Sequence, residues 1–258
     1  MYYNDVPIYI YVLLGLFGLL IGKIVAWVSM RLPEKKPIFS KEFFELNKEG
    51  LRFNYISMAS VAVLYIGTLY RFGIDKTDIT KNLDLVKFLI LIPFLVSICI
   101  MDLKGRIIPN RLNLTLFEIG LLITFIYGIT NVNVAKDMIL GMVAGAGIFM
   151  VITGLGWLIF GKEAMGLGDV KLMGALGLFY GLGGIAEVTL LAFVIGAIIS
   201  IIVLIVRLFI LKNKDEYIAF GPFIVLASIA MLFIAPGTII DCFLYVCRVL
   251  SNFILSIF

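Results

Sequence analysis

The 258-residue sequence contains no histidine. This absence excludes Ser-His and Cys-His nucleophile pairs, histidine-ligated zinc proteases and haem held by histidine. The few cysteines, Cys99, Cys242 and Cys247, form no C-x-x-C pair, and all three lie in apolar runs. We therefore predict that they are small buried hydrophobic side chains, and we expect no metal site.

Charged residues are also scarce, at 15% of the chain, whereas 62% of the residues are hydrophobic. A soluble domain has about 25% charged and about 45–50% apolar residues, so this composition excludes a water-soluble enzyme. The net charge is +4. In a membrane protein such an excess reflects Lys and Arg in cytoplasmic loops, so we expect no nucleic-acid partner.

Long apolar runs make up most of the chain and predict an all-α, polytopic integral membrane protein with roughly eight transmembrane helices. We expect an N-terminal membrane region over residues 1–85, a membrane core over 86–235 and a C-terminal hydrophobic helix over 236–258, which either spans or lies in the interface. The runs are Ile8–Met30, Tyr55–Tyr70, Val86–Met101, Leu112–Thr130, Met138–Phe160, Leu172–Ala186, Val188–Leu211, Ile218–Ala235 and Thr238–Phe258.

Lys and Arg concentrate in alternate connecting segments, which predicts the orientation. Counting the runs places four basic segments on one side, which we assign to the cytoplasm, and the N-terminus on the other. We expect a multi-pass protein of the cell membrane, in contact with the lipid bilayer. The four segments are Arg31–Arg52, Asp102–Arg111, Gly161–Lys171 and Arg207–Tyr217.

Acidic residues in or beside apolar runs are candidate functional groups, because an ionisable group is costly at membrane depth. Taken alone, Asp102 is best explained by an ion pair with Lys104 or Arg106, and Asp169 by an N-cap of the following helix. Glycines near Asp169 also remove side chains beside the acid, so that an extended peptide can approach it. The candidates are Asp102, Glu118, Asp137, Glu163, Asp169, Glu187 and Asp241.

Asp102 and Asp169 together indicate a chemistry that neither residue indicates alone. Two apolar runs separate them, so the chain crosses the membrane and returns, and both carboxylates come to the same face. Two carboxyl groups within a few ångströms share a proton, because both cannot easily ionise. One then acts as general base towards water and the other as general acid. This is aspartic proteolysis, which needs no cofactor.

Three motifs in order resemble those of the bacterial type IV prepilin peptidases, membrane aspartic proteases of the G-x-G-D type. They are Asp102 followed by Ile108-Pro109-Asn110, then Met165-Gly166-Leu167-Gly168-Asp169-Val170-Lys171-Leu172, then Phe220-Gly221-Pro222-Phe223. The resemblance implies that Asp102 and Asp169 are catalytic. It also implies that Gly166, Gly168, Pro109, Gly221 and Pro222 shape the approach of substrate.

The same resemblance implies a substrate and a reaction. Family members cleave a short basic leader from pilin, pseudopilin and competence precursors, on the cytoplasmic side and just before a hydrophobic helix. The acids Glu34, Glu42, Glu45, Glu49 and Glu163 are candidates to attract such a leader, although Arg31–Arg52 also carries six basic residues.

The N-terminal part departs from the family pattern. Arg31-Leu32-Pro33 is present, but Gly22–Val28 does not follow the usual stretch before it, and Arg31–Asn54 lacks the four-cysteine zinc cluster of many members. That region is associated with N-methylation of the new N-terminus. S-adenosylmethionine is therefore expected as a cofactor only if this second activity is retained.

Two other functions fit the composition. A secondary transporter or channel explains membrane carboxylates and glycine-rich helices, although its binding groups are expected at the midplane. A non-catalytic scaffold explains the small-residue patterns at Gly18 and Gly22, Gly141 and Gly145, and Gly177 and Gly181, which favour close helix packing in any case. The sequence leaves the oligomeric state open.

Overall fold

A computed structural model describes residues 2–3, 6–32, 48–75, 79–161, 165–206 and 219–255. This part of the chain is almost entirely helical, with one short antiparallel pair of strands at its start. The strands are β1 (Tyr2–Tyr3) and β2 (Val6–Pro7), and the helices are α1 (Ile8–Arg31), α2 (Lys48–Phe72), α3 (Ile79–Gly105), α4 (Asn110–Thr130), α5 (Val132–Phe160), α6 (Leu167–Val206), α7 (Gly221–Met231) and α8 (Thr238–Leu255).

Six of these helices, α1 to α6, are long and apolar enough to cross a membrane. The chain is thus an all-α polytopic membrane protein, as the composition predicts. The predicted separate runs Leu172–Ala186 and Val188–Leu211 correspond to two helical parts of α6, but the position of the break between them is wrong: the helix is interrupted at Gly181, where φ is 69° and ψ is −176°, and not at Glu187. Only glycine adopts this conformation readily, and apolar periodicity alone does not reveal such a bend.

The bend sends the second part of α6 back towards the end at which the helix begins. Phe193, beyond the bend, stacks on Phe149 with ring centroids 5.8 Å apart and lies 5.5 Å from the ring of Phe220. Phe220 directly precedes α7, and Gly196 packs against the same ring. The second part of α6 therefore leads back to the start of α7.

Small residues allow the helices to approach closely, as the sequence patterns predict. Gly141 and Gly145 of α5 lie against the backbone of α6 at Gly177 and Met173, where a Cβ atom has no room. At the α1–α2 contact, Gly22 lies in the same way on the backbone of Met58. These patterns pair α1 with α2 and α5 with α6.

The buried core lies mainly between α3, the first part of α6, and α7, with Leu95, Leu176 and Ile224 fully buried in it. This packing brings four helix ends together: the C-terminus of α3 and the N-termini of α4, α6 and α7. We call this region the aspartate end, because Asp102 and Asp169 both lie there.

Helix α8 differs from the other helices because its side chains are exposed throughout residues 238–252, apart from partly buried positions in its first turn. Cys242 and Cys247 lie on it and are exposed, and Cys99 on α3 is only partly buried. The prediction that all three cysteines are buried is therefore wrong. An apolar run shows that a residue avoids water, but not whether another helix covers it.

Candidate active site

Asp102 occupies the last turns of α3 and is 5% exposed. Its carboxylate accepts a hydrogen bond from the backbone N–H of Gly221, the first residue of α7. That N–H has no partner within its own helix, so the carboxylate satisfies it. Asp102 forms no ion pair with another described residue, so the predicted pairing with Lys104 or Arg106 is wrong.

Asp169 lies in the first turn of α6 and is 9% exposed. An N-cap at Asp169 requires a helix that begins at Val170, but the helix begins three residues earlier, at Leu167, so the N-cap prediction is wrong in its position. The carboxylate accepts from the backbone N–H of Gly166, while the N–H of Asp169 donates to the Gly166 carbonyl at 3.0 Å. The bond to the carboxylate is one half of a capping box, with the acid on the third helical position, whereas Gly166 has no side chain to form the other half.

The tertiary structure brings the two acids together, as the topology predicts. Ile108, in the α3–α4 loop, lies between their neighbours: its Cβ is 3.4 Å from a Cβ built on Gly168, and its Cδ1 is 3.2 Å from one built on Gly221. The two carboxylates are close enough for the charge on Asp102 to act directly on Asp169. Both carboxylates are shielded from water. The Asp102 carboxylate lies at the N-terminus of α7, and Asp169 lies at the N-terminus of α6.

This environment favours one shared proton. Helix N-termini and single backbone N–H donors stabilise a negative charge, but two adjacent charges with little water around them repel strongly. Neither carboxylate has a cation of the described chain to offset that repulsion. The arrangement can therefore hold one ionised and one protonated carboxyl group, which is the state that acid–base chemistry on a bound water requires.

The glycines and prolines of the motifs differ in what they do. Gly221 lies directly on the Asp102 carboxylate, where a Cβ atom would overlap the oxygen Oδ2. A Cβ on Gly166 would only touch Asp169 Oδ2, at 3.7 Å. Pro109 directly precedes α4, and Pro222 occupies the first turn of α7, where its missing N–H costs nothing.

Asn113 is a site residue that the motif analysis missed. This α4 side chain is 2% exposed, and its amide Nδ2 donates to the carbonyl of Gly168 at 2.9 Å. Its Oδ1 is buried and has no hydrogen-bond partner. The available signal was a lone amide within the apolar run Leu112–Thr130.

A second polar link crosses the same helices nearer the surface. Lys171 Nζ donates to Asn110 Oδ1 at 2.9 Å, which joins the first turns of α6 and α4. Lys171 belongs to the predicted motif around Asp169, and Asn110 to the one after Asp102. The structure thus connects the two motifs by side chains as well as by their aspartates.

A cavity of about 700 Å³ borders the α3–α4 loop. Its lining comes from the C-terminal ends of α1 and α3 and from the loop, and includes Met101, Lys104, Pro109 and Arg111. The charged residues of its described lining are both basic, and we therefore call it the basic cavity. Four of the glutamates proposed to attract a basic leader, Glu34, Glu42, Glu45 and Glu163, lie outside the described residues, as does the side chain of Glu49.

The remaining candidate acids lie away from the pair. Glu118 of α4 and Asp241 of α8 are exposed. Asp137 of α5 packs its carboxylate against Gly181 at the bend of α6. Glu187 is 2% exposed, accepts a short hydrogen bond from the N–H of Gly237, and leaves Oε2 without a partner. No group of three or more Asp, Glu or Cys side chains suited to a metal ion occurs in the part of the chain that the structure describes.

Comparison with known proteins agrees with this geometry. Residues 89–201, which contain both aspartates, match the type IV leader peptidase family. This matched segment, somewhat under half of the chain, is similar to the type IV leader peptidase family. The predicted resemblance is thereby confirmed.

Curated relatives carry the name prepilin leader peptidase/N-methyltransferase. The protein from Aeromonas hydrophila is 34% identical over 142 residues, which cover 54% of this chain and 46% of the relative. The protein from Escherichia coli K12 is 30% identical over 139 residues, 54% of this chain and 59% of the relative. The protein from Legionella pneumophila is 28% identical over 271 residues, 88% of this chain and 92% of the relative.

The chain spans about half the length of the first of these leader peptidase relatives, at 46%. No solved structure matches the chain.

Proposed function

We propose that this protein is an aspartic-type endopeptidase that removes the basic leader from prepilin-like precursors at the cytoplasmic membrane face. Asp102 and Asp169 are its catalytic pair. One observation carries the proposal: two buried carboxylates from distant parts of the chain come together with no cation from the described residues beside them, each held by a backbone N–H.

The two carboxyl groups have complementary tasks. The ionised one takes a proton from a water molecule as the water oxygen bonds to the scissile carbonyl carbon. The protonated one donates a hydrogen bond to the carbonyl oxygen. The tetrahedral intermediate then collapses, the C–N bond breaks, and a carboxyl group delivers a proton to the leaving amine. The pair ends with the single proton it held at the start.

Charge around the aspartate end supports its cytoplasmic assignment. Arg31, Lys104, Arg106, Arg111 and Lys171 all lie near this end of α1, α3, α4 and α6. Lys and Arg concentrate in cytoplasmic loops. A precursor anchored by an apolar helix, with a basic leader in the cytoplasm, presents its cleavage site at this level of the membrane.

N-methylation is not part of the proposal. The names of the relatives include N-methyltransferase. Residues 33–47, the centre of the loop on which our expectation about methylation depends, lie outside the described residues. Proteolysis by the carboxylate pair uses no cofactor, so its steps are derived without S-adenosylmethionine.

The transporter alternative receives less support. Its coupling groups are expected at broken helices near the midplane. Helix α6 is indeed bent at Gly181, but Asp102 and Asp169 lie at helix ends far from that bend. An ion-flux measurement in proteoliposomes distinguishes this function from cleavage.

The decisive experiment replaces each aspartate by asparagine, which preserves size and removes the exchangeable proton. We expect Asp102→Asn and Asp169→Asn each to slow precursor cleavage by at least about 10²-fold, the scale of acid–base catalysis. The protein is co-expressed with a prepilin-like precursor, and the mass of the precursor N-terminus reports cleavage.

Asp241→Asn is the matched control, because Asp241 is exposed on α8 and away from the pair. It should cleave at the wild-type rate, and all three variants should insert into the membrane to the same extent. Retained cleavage in either Asp102→Asn or Asp169→Asn would falsify the proposal.

A further inference from the structure

An apolar groove of about 470 Å³ runs between α1 and α3, outside the candidate active site. Its walls include Phe17, Ile24 and Val28 of α1 and Val86, Ile90 and Phe94 of α3, and Tyr65 of α2 contributes to its lining. Apart from Tyr65 and Ser97, every lining residue is apolar. We call it the α1–α3 groove, and the proteolytic mechanism makes no use of it.

The groove leads to the aspartate end. On α1 its lining reaches Val28, and Ser29 already lines the basic cavity. On α3 it reaches Ser97, one helical turn before Met101, which also lines that cavity. On α4, Leu112 lines the groove and Arg111 the cavity. All three helices therefore pass from the groove directly into the cavity bordering the α3–α4 loop.

We propose that the α1–α3 groove is the docking site for the apolar helix of the precursor, the segment that follows its cleavage site. This inference rests on the proposed function and adds where the substrate lies in the membrane. The occupant is a single apolar helix with its N-terminus towards the aspartate end.

The dimensions of the groove suit that occupant. From Val86 to Ser97, at 1.5 Å per residue, α3 lines about 16 Å of groove, enough for three turns of a bound helix. From Ser97 to Asp102 the helix rises a further 7–8 Å or so. Two or three extended residues, at about 3.3 Å each, cover that distance. Along the axis of α3, an extended segment of this length therefore spans the rise from the end of the groove to the level of the carboxylates.

The charge of the cavity sets the direction of the chain. Its described lining contains basic residues and no acidic one, so we expect it to repel a basic leader from this side of the pair. The segment between the precursor helix and the cleavage site is uncharged, so the basic residues of the cavity do not repel it. The apolar side of the precursor thus occupies groove and cavity, and the leader leaves towards the opposite side of the carboxylates.

The first test is photocrosslinking in membranes. A photoreactive amino acid replaces Ile90, which lines the groove, or Ile139 of α5, a 45% exposed isoleucine that does not. Ile139 is a matched control in depth, because the neighbouring Gly141 packs against Gly177 and the bend at Gly181. The probe is a precursor with a basic leader and an apolar helix of about 20 residues, held uncut by Asp169→Asn.

We expect crosslinks to the precursor helix from position 90 and not from position 139. Equal crosslinking from both positions, or crosslinks from position 90 to lipid alone, overturns the proposal.

The second test fills the groove without touching the carboxylates. Ile90→Trp should lower kcat/KM for the full precursor by about tenfold, because the helix loses one large apolar contact. A water-soluble peptide that ends a few residues after the cleavage site should be cut at the wild-type rate. Ile139→Trp should change neither rate.

The two substrates separate failure of this inference from failure of the proposed function. If Ile90→Trp cuts both substrates like wild type, the groove does not bind the helix, although the protein is a peptidase. If Ile90→Trp slows both equally, the groove is not specific to the helix and the inference is also wrong. If the wild-type protein cuts neither substrate, the proposed function fails, and a crosslink from position 90 then no longer identifies a bound substrate.

Discussion

Helix α3 carries a charged cluster near each end, one buried and one partly exposed, and the two clusters are built differently. At the aspartate end, Asp102 faces a second carboxylate and accepts a hydrogen bond from the N–H of Gly221. Near the other end, Asp84 accepts from Lys87 Nζ and from the hydroxyl of Tyr127, each at 2.7 Å. Lys87 lies over the ring of Phe88 as well, 4.7 Å from its centroid.

On the proposed function, the difference separates a structural charge from a reactive one. The Asp84 cluster is neutral in sum, and its partners tie α3 to α4. The Asp102 cluster places two carboxyl groups together, and the repulsion that opposes ionisation of both does not stabilise the fold. A buried acid with a cation nearby is therefore explained by packing, whereas a buried pair of acids requires a functional explanation.

Among the substitutions that test this comparison, Gly221→Ala should cause the largest change, a loss of precursor cleavage. The added Cβ atom would overlap Asp102 Oδ2 and push the carboxylate away from the N–H that holds it. Since a displacement of about 1 Å can cost on the order of 10² in rate, we expect precursor cleavage to fall by about that factor. Cleavage and thermal unfolding are measured on the same preparations.

Gly147→Ala is the control, because nothing lies within 4 Å of its Cβ position on α5. Gly166→Ala tests whether the loss depends on how closely the added Cβ atom approaches the carboxylate. Its Cβ would be 3.7 Å from Asp169 Oδ2, which is an ordinary contact, so the cleavage rate should fall far less. If Gly166→Ala lowers the cleavage rate as much as Gly221→Ala does, direct contact with the carboxylates does not explain why glycine occupies these positions.

Asp84→Asn should lower stability rather than activity. It leaves the Lys87 ammonium, whose side chain is 10% exposed, without its carboxylate, whereas Asp84 itself is 37% exposed. Breaking a fully buried pair costs about 3–5 kcal/mol, and the exposure of Asp84 reduces this to roughly 1–2 kcal/mol. Thermal unfolding in detergent or nanodiscs checks the shift.

An Asp→Asn substitution at the aspartate end should not lower the stability of the protein. Asp169→Asn removes a carboxyl group whose ionisation the neighbouring Asp102 carboxylate opposes, so we expect stability to be equal or higher. If Asp169→Asn destabilises the protein as much as Asp84→Asn does, the distinction between the two clusters is lost.

Asn113→Ala should reduce cleavage modestly. The change removes the hydrogen bond that holds the Gly168 carbonyl, next to Asp169. A buried hydrogen bond contributes on the order of 1 kcal/mol, so a loss of about fivefold is expected. Asn113→Asp keeps an acceptor but loses the donor, and it should not restore the rate. Wild-type activity in Asn113→Ala would show that this contact does not position the loop.

Lys171→Met should have the smallest effect. Its bond to Asn110 is exposed, and exposed polar contacts are worth about 0–1 kcal/mol. We expect cleavage within about twofold of wild type and an unchanged unfolding temperature. A large loss would mean that Lys171 contacts the substrate, which would extend the reactive cluster beyond the two aspartates.

Much of the candidate site is predictable from local sequence and topology. The apolar run before Asp102, the glycines before Asp169 and the two runs between the acids suffice to place both on one face. Two explanations of the single residues are nevertheless wrong, the ion pair of Asp102 and the N-cap at Asp169. Each considered only neighbours in sequence, whereas the partner of Asp102 is Gly221, on another helix. The domain division at residues 85 and 235 stays a prediction.

The sequence by itself determined that this chain crosses a membrane as helices, because apolar runs of this length cannot remain in water and their backbone must bond within each run. It also made carboxylates the main candidates for acid–base chemistry, since histidine is absent. Only the tertiary structure decided that Gly221 rests on Asp102, that α6 turns back at Gly181 and that a groove follows α1 and α3 to the aspartate end. These features depend on contacts between helices, and such contacts are set by the fit of side chains that no single run contains.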